Sequence, residues 1–174
     1  MKVNRRTFLQ TTAATAAAGM FSSSAWAEDP INVASIHDLS GGLDIYGKPM
    51  VDAMTLAIEE TNAAGGLLGR QIKLINYDTQ SNMQLYTQFA QQAALKDKVA
   101  VVHGGITSAS REAIRPIFDR FKVLYFYNTL YEGGVCDRNI FCTGTTPAQT
   151  VEKLVPSAMK SWGKKAYIIA ADYN

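Results

Sequence analysis

The sequence predicts an α/β fold built on a doubly wound parallel sheet. Short apolar runs rich in β-branched and aromatic residues recur at 31–36, 71–77, 99–102 and 123–127. Each is too brief, and too closely bounded by glycine or polar residues, to be a helix. The stretches between them place apolar residues at helical spacing. Short joints make each strand–helix–strand passage a βαβ unit, whose strands lie parallel.

Ile31 to Ile36 reads as the first strand, ending at His37 and Asp38, with a glycine-containing loop from Leu39 to Gly47. From Lys48 to Ala64, Met50, Met54, Ala57 and Ile58 mark a helix that leaves Asp52, Glu59 and Glu60 for solvent. Gly65 and Gly66 stop it, because glycine accepts a left-handed turn. Gln71 to Tyr77 is the second strand, and Met83, Tyr86, Ala90, Ala93 and Ala94 outline the next helix. Val99 to Val102 is the third strand, turned by His103, Gly104 and Gly105 into a helix over 108–121. Pro116 inside that helix removes a backbone hydrogen bond, so a kink or early break is expected there. Val123 to Tyr127 is the fourth strand, with Tyr125 and Tyr127 on one face and Phe126 on the other. Asn139 to Thr143 reads as a short extended piece, Pro147 to Trp162 as a helix, and Lys165 to Ala171 as a further strand.

Ligands of open parallel sheets sit outside the carboxyl ends of the strands. There the sequence places Thr107 and Ser108 after the third strand and Thr129 after the fourth, beside Tyr127 and Tyr131. Ser108 at a helix start offers a hydroxyl and free backbone N–H groups to a carboxylate or carbonyl oxygen; plain N-capping explains it as well.

The chain has 174 residues and a formal net charge of +2. Lys2, Arg5 and Arg6 lie in the first 27 residues with no acid, so the remainder holds 17 − 3 = 14 basic groups against 15 acidic ones. That balance gives no reason to expect nucleic acid or an anionic membrane as partner. Arg5 and Arg6, followed by an Ala/Thr-rich run and Ala25-Trp26-Ala27, read as a twin-arginine export signal cleaved before Glu28. The run is too short and polar to span a membrane, so a periplasmic location without stable membrane insertion is expected. In that oxidising compartment Cys136 and Cys142 could close a local disulfide, with a metal pair as the alternative.

No G-x-G-x-x-G or G-K-[ST] pattern supports a phosphate loop. His37, His103 and Asp38 can be drawn as an acid–base or metal set, but a strand-end histidine is more commonly structural. Ser108 lacks the G-x-S-x-G elbow of a serine nucleophile. Neither a cofactor nor a catalytic set is expected.

Six segments, HDLSGGLDIYG (37–47), NAAGGLLGR (62–70), GGITSASREAIRP (104–116), FYNTLYEGG (126–134), NIFCTGTTPAQ (139–149) and AADYN (170–174), resemble the type I periplasmic solute-binding proteins of ABC transporters. The likeness is to the leucine/isoleucine/valine-binding family, and within it to the urea and short-chain amide receptors. It implies a periplasmic binding protein type I fold, with doubly wound parallel sheets in two lobes and the second lobe truncated. The implied organisation is a signal peptide at 1–27, an incomplete four-strand lobe 1 at 28–131, a crossover hinge at 132–145 and the start of lobe 2 at 146–174. Carried over from the resemblance, Ser108 and Thr129 hold the solute's polar head with backbone help from Ile106 and Tyr127. Tyr46 packs over the ligand, Tyr173 faces it from the second lobe, and Tyr131 is a further contact. The implied function is capture of a small amide, urea or branched-chain amino acid and its delivery to an inner-membrane ABC permease, without chemistry. The alternatives are an amide sensor of the same fold and an amide hydrolase using Ser108 and His103.

Overall fold

The computed structural model describes residues 29–129 and 131–170. Strand β1 (Ile31–His37) is followed by helix α1 (Asp44–Ala63), β2 (Ile72–Asp78), α2 (Met83–Leu95), β3 (Val101–Gly104), α3 (Ser108–Phe121), β4 (Leu124–Tyr127), β5 (Ile140–Cys142) and α4 (Val151–Trp162). The strands form one sheet in the order β2-β1-β3-β4-β5, and every neighbouring pair is parallel. This is the doubly wound arrangement that the sequence predicts. The order reverses between β1 and β3, since the chain moves outward to β2 and then returns past β1.

The core lies between the sheet and the packed pair α2 and α3. Ala34, Ile36, Val102, Tyr125 and Tyr127 point into it from the strands, and Tyr86, Ala90, Ala93, Ile114 and Phe118 meet them from the helices. Burying side chains such as Ile114 and Phe118 contributes about 2 kcal/mol each. Tyr125 and Tyr127 share this face while Phe126 takes the other, stacked on Phe141 at 5.0 Å. The expected alternation of β4 therefore holds.

Several features differ from the sequence reading, among them the last helix, which starts at Val151 rather than Pro147. Helix α1 starts at Asp44 rather than Lys48. Gly47, which the sequence places in the loop, sits in the first turn against β1, where an added Cβ would lie 2.0 Å from the Asp38 carbonyl oxygen. Close approach of helix to strand, not chain reversal, is what demands glycine there. Strand β3 begins at Val101 rather than Val99, because the Val99 N–H is taken by the Ala93 carbonyl of α2. Only Gly105 turns the chain after it, with φ +77°. Helix α3 is continuous through Pro116, so the expected break does not occur. The strand expected at 165–171 is absent from the described part, 165–170. Tyr167, Ile168 and Ile169 are exposed there, with no neighbouring strand to complete a ladder.

Within 132–145, β5 pairs in parallel with β4 and forms the sheet's edge. Cys136 and Cys142 are free thiols: β5 carries Cys142 into the sheet, half-buried, whereas Cys136 stays exposed in the preceding loop. The local disulfide that the spacing would allow is not formed between them.

Candidate functional site

The loops that follow β1, β3, β4 and β5 enclose a cleft of about 1200 Å³ at the carboxyl ends of the strands. It opens at the β1/β3 reversal, where neighbouring connections leave on opposite faces of the sheet and so part from each other.

The floor is set by Asp38, which is fully buried. Its Oδ1 accepts from the Thr79 hydroxyl and, at 2.8 Å, from the Ser81 N–H, which ties the loop after β1 to the loop after β2. Its Oδ2 makes no close hydrogen bond, but the buried Tyr86 hydroxyl lies within interaction range of the Asp38 carboxylate and of Thr79 and Ser110; Asp38 and Tyr86 both border the cleft. Tyr46, in the first turn of α1, is exposed at the rim.

The opposite wall is the start of α3. Thr107 caps the helix by accepting from the Ser110 N–H at 3.1 Å. The Ser110 hydroxyl reciprocates, accepting from the N–H groups of Ile106 and Thr107 at 3.1 Å each. This capping box uses up part of the helix-terminal donors. The N–H groups of Ser108 and Ala109 have no protein acceptor among the described residues, and both residues line the cleft.

The end of β4 supplies the third side. The Thr129 hydroxyl donates to the Ile106 carbonyl at 2.8 Å, and the Tyr127 hydroxyl donates to the same oxygen at 3.1 Å. Ile106 therefore borders the cleft with its amide and carbonyl both engaged, and it fixes the spacing of the β3 and β4 loops. The Tyr131 hydroxyl accepts from the Val135 N–H at 2.6 Å. The Ser108 hydroxyl donates to Glu132 Oε2 at 2.7 Å. Arg111 grips the same carboxylate with both terminal nitrogens, and its Nε donates to Glu112 at 3.0 Å. The guanidinium is almost wholly buried, over the Tyr127 and Tyr131 rings at 4.8 and 5.2 Å, positions suited to cation–π attraction. Hydrogen bonds from Arg111 hold the Glu132 pKa down to about 2.

Six of the residues proposed from the sequence, Tyr46, Ile106, Ser108, Tyr127, Thr129 and Tyr131, border this cleft together. Tyr173 lies outside the described residues. The acid–base set does not assemble. Ser108 is bonded to Glu132, whereas His103 Nε2 is hydrogen-bonded to the Asn128 amide. His37 lies 4.9 Å from His103 between ring centroids, with its Nδ1 2.8 Å from the Ser35 hydroxyl. Among the described residues no group of three His, Cys, Asp or Glu side chains converges as metal ligands.

Sequence reasoning missed Asp38 as a floor residue, Tyr86, and the Arg111–Glu132 pair. One signal was present for the last. Arg111, Ile114 and Phe118 fall on one helical stripe, which puts a charge on the apolar face and demands a partner.

A cleft at the switch point of a 2-1-3-4-5 parallel sheet is where doubly wound folds take up small ligands. Residues 31–174 match the periplasmic binding protein domain, and the chain belongs to that family. Residues 2–22 match the twin-arginine translocation pathway signal sequence, so the protein is exported to the periplasm. Among curated proteins it is similar to Leu/Ile/Val-binding protein homolog 7 of Brucella suis biovar 1 (strain 1330), with 27% identity over 123 residues, 71% of this chain and 31% of that protein. Among solved structures it is similar to the branched-chain amino acid transporter substrate-binding protein LivJ of Streptococcus pneumoniae in complex with isoleucine. That match has 28% identity and a TM-score of 0.55 over 56% of this chain and 28% of the other. The leucine-binding protein LivK of Thermotoga maritima gives 29% identity and a TM-score of 0.52, over 56% and 27%. An ABC transporter protein of Rhodopseudomonas palustris, 24% identical with a TM-score of 0.58, shares the fold over 75% of this chain. The matched part spans about a third of the length of these relatives. The fold is thus that of type I periplasmic binding proteins, of which the chain covers part.

Proposed function

We propose that this protein is the solute-binding component of an ABC transporter. It captures a small amide, urea or branched-chain amino acid in the periplasm and delivers it to an inner-membrane permease. The observation that carries this reading is that Tyr127 and Thr129 meet on the Ile106 carbonyl, and that they line one cleft with Ser108 at the carboxyl ends of the strands. In this reading the free N–H groups of Ser108 and Ala109 and the hydroxyls of Ser108 and Thr129 take the polar head of the solute. The Tyr46 and Tyr131 rings flank its apolar part, and Tyr173 meets it from a second lobe whose closure is the functional event. Binding, not bond cleavage, is the activity. The likeness to proteins named for leucine and isoleucine binding supports the same class.

Calorimetric titration of the protein isolated from the periplasm, with isoleucine, isovaleramide and urea as probes, tests it. At least one solute binds, and Thr129→Val weakens binding at least tenfold. Absence of binding to any of the three, or turnover of the amide, contradicts the proposal.

A further inference from the structure

Helix α3 meets the cleft through Ser108, and three residues on, along the same side of the helix, it carries Arg111. Arg111 does not line the cleft and is 1% exposed. Glu132, in the loop after β4, joins the two. Its Oε2 accepts from the Ser108 hydroxyl at 2.7 Å and from one Arg111 terminal nitrogen at 3.2 Å, and its Oε1 accepts from the other terminal nitrogen. A second cavity, of about 420 Å³, is bordered by Arg111, Glu112, Arg115 and the loop from Glu132 to Cys136. Among the described residues Glu132 alone borders both this cavity and the cleft. The Arg111–Glu132 pair therefore stands as a partition between them. The guanidinium also lies over the rings of Tyr127 and Tyr131, at 4.8 and 5.2 Å, and both rings belong to the cleft wall. The Tyr131 hydroxyl accepts from the Val135 N–H at 2.6 Å, so the loop that carries Glu132 also sets this ring.

We infer that Arg111 is a positioning residue for solute binding: its grip on Glu132 fixes the Ser108 hydroxyl and the Tyr131 ring in the cleft wall without touching the solute itself. This inference rests on the solute-receptor reading above and deepens it. The planar fork of an arginine holds both oxygens of a carboxylate at once and so fixes the plane and place of that carboxylate. Glu132, held in this way, leaves the Ser108 hydroxyl one direction in which to point its proton. Because the guanidinium compensates the carboxylate, what the pair brings to the wall is geometry rather than field. A buried arginine that needed only a counter-ion would have Glu112, on which its Nε already donates at 3.0 Å; the oxygen shared between Arg111 and Ser108 ties the clamp to the cleft.

The test titrates isoleucine, isovaleramide and urea into the native protein isolated from the periplasm and into Arg111→Lys, Ser108→Ala and the double variant. Lysine keeps the charge but is a point donor that cannot hold both oxygens of Glu132, so Arg111→Lys weakens every solute that the native protein binds at least fivefold. Since Arg111 acts through Ser108, the loss in the double variant falls short of the product of the single losses by at least threefold. Phe118→Leu disturbs the packing of the same helix on Tyr125, and it keeps the affinity within twofold of native. Glu132→Gln combined with Ser108→Ala shows the same shortfall, and this pair decides the matter should urea unfolding find Arg111→Lys without a folded state. A folded Arg111→Lys that binds as the native protein does, losses that simply multiply, or an equal loss in Phe118→Leu would overturn the inference and leave the solute-receptor reading intact. Native protein that binds none of the three solutes removes both.

Discussion

His37 shows what burial does to a single titratable group in this fold. It is 1% exposed at the end of β1, with the Ser35 hydroxyl at Nδ1 and no partner at Nε2. Burial first, and the neighbouring His103 second, push its pKa down to about 3, against the ordinary histidine value near 6.5. Between those values the unfolded chain binds a proton that the native state refuses. The stability that His37 gives the native state is complete above pH ~6.5 and is lost as pH falls toward about 3. The slope from this one group is at most about 1.4 kcal/mol per pH unit. Urea unfolding at pH 7, 6 and 5 is expected to show a falling midpoint, and His37→Asn to flatten part of that slope. His103, also lowered by burial, keeps the rest. Identical slopes in the two proteins would contradict this account. The Glu132 carboxylate titrates far lower, so its contact with Arg111 stays in force across the same range.

At the scale of the element, α3 matters most, because its first turn is both a structural terminus and a wall of the cleft. Thr107 and Ser110 close the capping box, and the stripe of Arg111, Ile114 and Phe118 packs inward. Thr107→Ala removes the acceptor for the Ser110 N–H and is expected to cost about 1 kcal/mol, read as a lower unfolding midpoint, while Thr107→Ser retains most of it. An unchanged midpoint in the alanine variant would mean that the cap contributes nothing. The elements were legible where a local pattern was enough. Ile31–His37, Met83–Leu95 and Leu124–Tyr127 stand close to where alternation and helical spacing put them. The start of α1 was not legible, because Gly47 reads as the end of the preceding loop while the packing against Asp38 that requires it is tertiary. The apolar run at 165–171 misled for the opposite reason: a strand is defined by its neighbour, and none of the described strands pairs with 165–170. In the site, Ser108 and Thr129 stood out as hydroxyls at strand ends. The Arg111–Glu132 link joins residues 21 apart through a loop whose course no local pattern encodes.

For the molecule as a whole, the order β2-β1-β3-β4-β5 places the cleft without reference to any particular side chain. Connections that leave on opposite faces at the β1/β3 boundary must leave a crevice there. The side chains then decide what enters it: hydroxyls and free N–H groups on one wall and tyrosine rings at the rim. The chain matches the periplasmic binding protein domain over residues 31–174 and carries an export signal at 2–22, so the crevice faces the periplasm. The central claim, that this crevice is a solute site, is tested most directly by the native mass of the protein isolated from the periplasm under non-denaturing conditions. The account predicts a small, dissociable, stoichiometric adduct that disappears in Thr129→Val. A native protein free of adduct, and unchanged in mass after incubation with excess isovaleramide, isoleucine or urea, would contradict it.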